Sequence, residues 1–171
     1  EDIDVLMEQV VSPDALDDCG AICCAMIKAK GIKENKNDKL WQEQIDRYYD
    51  FIAHKEYRYS DGQFARLRPV KNTVWLDDMF MGIPALALHG DYDEALRQFR
   101  LFREKMWVKE KSLYRHGWTP TESGYHPSFF WGRANGWALL TACELLDISE
   151  DDYVMKCFKE HLNGLLALQS A

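Results

Sequence analysis

Apolar residues recur along most of this chain at three- and four-residue intervals, the spacing of one helix face. Leu16 to Lys30 is a run rich in Ala, Cys, Met and Ile that closes at Gly31, a residue type suited to a helix C-terminus. The charged spacer Lys33-Glu-Asn-Lys-Asn-Asp-Lys39 reads as an exposed loop. From Leu40 to His54 the helical period resumes, with Trp41, Ile45, Tyr48, Tyr49 and Ile52 on one side. Residues 56–70 alternate instead around Ser60-Asp61-Gly62, and predict a hairpin-type turn between short strands. Helices are expected over Asp78–His89, with Gly90 as terminator and Pro84 as a kink site, and over Asp91–Trp107. Residues 112–131 crowd His, Gly, Pro and aromatics and read as irregular. Two helices, about 133–147 and 150–168, finish the chain, the second starting in Glu150-Asp151-Asp152 after Ser149.

Helices thus alternate with two kinds of connection, some short and others long and rich in aromatic and polar residues. Strands are confined to the long ones. Such a pattern implies helical pairs whose long loops gather at one end, on a rigid scaffold. Glycine-rich phosphate loops after a strand are missing, so nucleotide-binding folds lack support. No tetratricopeptide- or ankyrin-type period recurs.

Composition narrows the classes further. Six Trp, eight Tyr and eight Phe in 171 residues are too much apolar surface for a disordered chain. No stretch approaches the roughly 18 uncharged apolar residues of a membrane span. The first residues, Glu1 to Val10, are acidic and resemble neither a signal nor a transit peptide. A net charge of −7 without a basic stripe argues against nucleic acid as partner. Cys19 and Cys23 are four apart on an expected helix, a spacing that could hold a metal. Their small apolar neighbours favour buried free thiols, and no metal site is expected.

Two segments carry candidate chemistry. In Asn72-Thr-Val-Trp-Leu-Asp-Asp-Met-Phe-Met81, Trp75 and Asp77 point the same way if the backbone there is extended. A carboxylate beside an indole loses water, which raises its pKa towards use as a general acid. The competing reading is that Asp77 caps the following helix. In His126-Pro-Ser-Phe-Phe-Trp-Gly-Arg-Ala-Asn-Gly-Trp137, Trp131, Arg133 and Trp137 surround a Gly-rich helix entry. Aromatic faces stack on sugar rings, and a guanidinium grips a carboxylate with two parallel bonds, so an acidic sugar would fit. Equally, both Trp could be core and Arg133 part of a structural ion pair. Asp17-Asp18-Cys19-Gly20 places carboxylates where a helix start favours them, with Gly20 open to close approach of a ligand. His116 and Trp118 lie in the long loop, within reach of a cleft; His54, His89 and His161 read as surface or packing residues.

The Trp75-Leu-Asp-Asp-Met-Phe-Met81 and Trp131-Gly-Arg-Ala-Asn-Gly-Trp137 segments, in that order, resemble the unsaturated uronyl hydrolases. Asp18-Cys-Gly20 upstream and Tyr114-Arg-His-Gly-Trp118 between them strengthen the likeness. The pattern is most similar to glycoside hydrolase family 105, the unsaturated rhamnogalacturonyl hydrolases of pectin degradation, and more distantly to the related family 88, the unsaturated glucuronyl hydrolases. It extends over roughly residues 14–168.

That resemblance implies an all-α (α/α)6 barrel of the six-hairpin glycosidase type, with the site at a mouth built from inter-helix loops and short hairpins. It implies Asp77 as catalytic acid/base and Asp18 as the second active-site aspartate. Trp131, Arg133 and Trp137 would bind the unsaturated sugar, His116 would be an active-site histidine, and Trp75 and Met81 would be pocket walls. Many relatives carry a His-Lys pair where this chain has Arg66-Leu67, which leaves Arg66 free to meet a substrate carboxylate or a neighbouring sugar. The expected reaction is hydration of the C4=C5 double bond in a terminal unsaturated uronate, needing no cofactor. Its substrates would be unsaturated oligosaccharides made by polysaccharide lyases. A non-catalytic carbohydrate-binding module, or an (α/α)6 enzyme for saturated sugars, are the alternatives. A twelve-helix barrel at about 12 residues per helix plus loops needs well over roughly 300 residues. Residues 1–171 are therefore expected to be a single domain forming the central part of a barrel. Such a piece is expected to self-associate or to be inactive alone.

Overall fold

The computed structural model describes residues 15–32, 38–120 and 129–169. Six α-helices dominate these residues: α1 Leu16–Ile32, α2 Asp38–Asp50, α3 Leu76–His89, α4 Tyr92–Met106, α5 Gly132–Ile148 and α6 Asp152–Leu166. Four two-residue strands occupy the long connections: β1 Val74–Trp75, β2 Trp107–Val108, β3 Leu113–Tyr114 and β4 Gly117–Trp118. β1 pairs antiparallel with β4, and β2 with β3.

Helices pack as three consecutive pairs, α1 with α2, α3 with α4 and α5 with α6. Across the pairs, α3 lies between α1 and α5 and contacts both. The odd helices therefore form an inner row and the even ones an outer row. Residue chemistry explains the division. The inner helices are apolar on most sides and rich in Ala and Gly, as suits helices with neighbours on several flanks. Outer helices α2 and α4 are amphipathic, burying Trp41, Ile45 and Tyr48 or Ala95, Phe99, Phe102 and Met106 and turning their charges outward. α6 follows the same rule through Val154, Cys157 and His161.

Gly20 is where α1 and α3 meet most closely: a Cβ there would lie 1.7 Å from the Met81 carbonyl oxygen. Its function is therefore helix–helix approach, and the space at its Cα holds backbone instead of ligand. α3 runs unbroken through Pro84 and ends on Gly90, whose φ of 109° only glycine adopts easily. The next residue, Asp91, accepts from Glu94 N–H and caps α4. In the same way Asp151 caps α6 through Val154 N–H, while Ser149 closes α5.

Two expectations change. The second helix tightens to Asp38–Asp50 and continues as a π-helical turn, Phe51–Lys55. The alternating stretch 56–70 forms isolated bridges, Arg58 with Phe64 and Arg66 with Thr73, around the Gly62 turn at φ 85°. Arg58 explains the loose pairing, because its guanidinium binds the carbonyls of Ile52, Ala53 and Gly62 and ties this segment to the end of the π turn. Of the spacer Lys33–Lys39, residues 33–37 lie outside the described residues, as does His126.

Candidate active site

The starts of all three inner helices come together, and each brings part of the expected chemistry. Asp17 and Asp18 occupy the first turn of α1, Asp77 and Asp78 that of α3, while Trp131 caps α5 ahead of Arg133. Aligned peptide dipoles give helix N-termini partial positive charge, so carboxylates in first turns are favoured there.

Asp77 is not the cap of its helix. Trp75 holds that position, and Leu76 N–H donates to the His116 carbonyl at 2.8 Å. The register of β1 against β4, Trp75 opposite Gly117, fixes His116 beside Asp77. Asp77 Oδ2 approaches His116 Nδ1 to 3.4 Å, outside hydrogen-bonding geometry, and both atoms are buried without a hydrogen-bond partner among the described residues. An unpartnered buried carboxylate oxygen is costly unless something else uses it. Burial holds His116 below the usual imidazole range, aided by Arg66 and Arg133 and opposed by Asp77. The ring is therefore neutral at pH 7.

Aromatic rings enclose that imidazole. Trp75 meets it edge-on at 5.2 Å between centroids, Trp131 at 4.8 Å, and Phe129 lies tilted at 5.6 Å. Arg133 is exposed and lies over the Trp131 ring at 3.8 Å, a cation–π contact, with no ion pair among the described residues. Its charge is close enough to His116 to help lower the imidazole. Trp137 takes another place: farther along α5, it stacks on Phe80 of α3 at 4.8 Å with planes 22° apart. One face of its indole is thereby covered. Met81 is half-buried in α3 and meets α1 through its carbonyl.

Arg66 is engaged within the protein. Nε and one terminal nitrogen donate to the two Asp78 oxygens at 2.8 and 2.6 Å, and that same nitrogen reaches Asp17 at 3.2 Å. Its plane also covers Trp75 at 4.7 Å. Full burial pushes the Asp78 carboxyl up while the Arg66 fork pulls it down; charge-assisted bonds this short mark the pair as ionised. Arg66 thus links the starts of α1 and α3 instead of standing free for a substrate carboxylate. Asp18 is exposed one residue beyond Asp17 and joins Asp77 by no hydrogen bond or ion pair among the described residues.

A cleft of about 860 Å³ opens on the other side of Arg66, lined by Asp17, Glu56, Tyr57, Arg66, Arg68 and Asp78 among others. Burial and the charge of Asp78 push Glu56 up to about 7. Cys19 and Cys23 lie buried in α1, where burial raises their thiols to about 11 and about 12, so both are inert. Sequence reasoning left Asp17, Asp78 and Asn135 without roles, although each stands inside a segment it singled out.

Known structures share this fold. A glycoside hydrolase of family 105 from C. acetobutylicum ATCC 824 superposes with a TM-score of 0.74 at 18% identity, covering 91% of this chain and 47% of its own. The GH76A α-1,6-mannanase from Salegentibacter sp. HEL1_6 gives 0.71 at 12% identity, covering 92% and 48%. At these identities the likeness is one of fold, and the three hairpins share the fold of those enzymes. Among curated proteins, the unsaturated rhamnogalacturonyl hydrolase YesR of Bacillus subtilis (strain 168) is 25% identical over 149 residues, 77% of this chain and 43% of YesR. The chain thus spans about half the length of the relatives it matches. From residue 3 to residue 171 it matches the model of Glycosyl Hydrolase Family 88, and it belongs to that family.

Proposed function

We propose that this chain carries the reaction site of a hydrolase that removes a terminal C4=C5-unsaturated uronate from lyase-generated oligosaccharides such as those of rhamnogalacturonan. The observation that carries the reading is the Asp77–His116 pair: a buried, unpartnered carboxylate oxygen 3.4 Å from a neutral imidazole, walled by Trp75 and Trp131 beside Arg133. An unsaturated uronate is an enol ether. Asp77 in its acid form gives a proton to C4, and the ring oxygen stabilises the cation that forms at C5. Asp77, now a carboxylate, takes a proton from the water that adds to C5. The resulting hemiketal opens, and the attached sugar leaves with its oxygen. Arg133 pairs with the uronate carboxylate, Trp131 offers a face to the ring, and Asp18 orients water or a hydroxyl from the α1 side.

Ordinary hydrolysis of saturated glycosides needs two free carboxylates facing the bond. Asp78, the neighbour of Asp77, is closed off by Arg66 and is not available as a second free carboxylate beside it. Exchange of Asp77→Asn in the full-length enzyme tests the proposal through the ultraviolet absorbance of the conjugated double bond in an unsaturated disaccharide. Its decay is expected to slow by about 10²–10⁴-fold. Decay at the parent rate would sink the assignment, and turnover of the saturated disaccharide instead would favour the other class of enzyme.

A further inference from the structure

Asn135 sits in the first turn of α5, buried, and its side-chain amide uses its whole bonding capacity. Oδ1 accepts from Tyr114 N–H at 2.9 Å and lies 3.0 Å from His161 Nε2. Nδ2 donates to the Tyr114 carbonyl at 3.0 Å and to the Trp131 carbonyl at 3.1 Å. A carboxamide has two N–H donors and an oxygen with two lone pairs, so four bonds saturate it. Both donors go to carbonyls, which makes Oδ1 the acceptor and requires His161 to donate through Nε2–H. Burial, with the charge of Arg103, pushes His161 down to about 4, in keeping with the neutral ring.

The two bonds to Tyr114 copy the exchange of N–H and C=O between facing strand residues. Asn135 thereby acts as a one-residue strand beside β3. Two residues beyond Tyr114 is His116, whose N–H donates to the Phe129 carbonyl at 2.8 Å and whose carbonyl receives Leu76 N–H. The third bond of the amide holds Trp131. One side chain therefore fixes both partners of the His116–Trp131 contact, and through β4 the distance to Asp77.

We infer that Asn135, oriented by His161 from α6, is the positioning residue that sets His116 against Trp131 and Asp77. Its link to catalysis rests on the function proposed above, but the clamp itself does not. Nothing in the reaction touches Asn135 or His161, so their effect passes through His116.

The test uses the 171-residue chain and needs no turnover. Imidazole resonances of His116 and exchange of the Tyr114 amide are followed by NMR, with α4 amides as the reference for global loosening. Asn135→Asp keeps the shape but cannot donate to two carbonyls. His161→Phe keeps a ring but removes the donor to Oδ1, whereas His161→Gln places an amide N–H at similar reach. In N135D and H161F the His116 resonances are expected to shift, and the titration to move up towards about 6.5. Tyr114 N–H keeps its acceptor in both variants, but that oxygen is no longer anchored by its other bonds, so Tyr114 exchange should rise about tenfold as the local pairing opens more easily. H161Q should restore parent behaviour. Coincidence of His116 with the parent in both disruptive variants, or changes only in step with α4, would overturn the inference. A failed clamp leaves the hydration chemistry standing, and an Asp77→Asn variant with parent turnover would remove the chemistry and leave the clamp.

Discussion

Asp77 and Asp78 are adjacent in sequence and opposite in circumstance. Successive helical residues point about 100° apart, so one carboxylate enters the Arg66 fork while the other faces His116. Separating the pair this way spends the Arg66 donors on Asp78 and leaves the oxygen that would handle protons without a guanidinium hydrogen bond. The arrangement has a stability consequence, because Asp78 is 1% exposed and depends on its partner. Arg66→Met leaves an uncompensated buried carboxylate, and the expected loss is about 3–5 kcal/mol at pH 7 in urea unfolding. Burial already holds Asp78 above the usual carboxylate range, and without Arg66 its folded-state pKa rises further above the unfolded value. The folded variant then binds the extra proton, so it should regain stability as the pH is lowered through that raised value. Equal losses at pH 5 and pH 7 would contradict a buried charge as the cause. None of this was legible locally: Arg66 stands 12 residues before Asp78 and 49 after Asp17, and only the fold brings them together. Asp77 was legible because an Asp two residues after a Trp at a strand-to-helix junction is an unusual combination. Its role as a cap, equally open from sequence, is ruled out by Trp75 holding that position.

Helix boundaries were readable to within a few residues because each helix carries its own signals. Gly90 ends α3, Asp91 opens α4, and Asp151 opens α6. The contrast between largely apolar and amphipathic helices was present in the sequence as well, although the inner and outer rows it marks emerged only from the packing. The π turn at Phe51–Lys55 and the loose pairing of 56–70 were not, since Arg58 sets both through backbone carbonyls that no side-chain pattern records. Glycines sharpen the distinction between propensity and packing. Gly20→Ala improves helix propensity yet drives a methyl to 1.7 Å from a backbone oxygen of α3, which the helices relieve only by separating. It is expected to lower stability by about 1–3 kcal/mol or more. Gly136→Ala, in α5 with nothing within 4 Å of the added Cβ, should gain about 0.5–1 kcal/mol. Paired thermal melts decide the matter; a Gly20→Ala protein as stable as the parent would mean that α1 and α3 do not meet there.

At the scale of the whole molecule, two buried titratable groups on different elements give the stability curve opposite slopes. Glu56, just past the π turn, is raised from 4.5 to about 7 by burial and by Asp78. Between those values the folded chain holds a proton that the unfolded chain has released, so this contribution is lost as pH rises through the window. His161, on α6, is lowered from 6.5 to about 4 by burial and Arg103. Between those values the unfolded chain holds the extra proton, so this contribution is lost as pH falls. His116 is lowered as well and steepens the acid side. The two windows overlap, and inside the overlap the two one-proton slopes oppose and cancel each other, so in the parent each limb hides the other. Replacing each group by its neutral counterpart separates the limbs. Glu56→Gln removes the group whose charge must be buried, and its stability relative to the parent should grow as pH rises from about 4.5 to 7. His161→Gln retains the bond to Asn135 while losing the titration, so its relative stability should grow as pH falls from 6.5 to about 4. Urea unfolding of the three proteins across that range reads both effects. If the Glu56→Gln curve stayed parallel to the parent's, the Glu56 carboxyl would have to be solvated in the folded chain through the cleft it lines, and burial would not be what raises it.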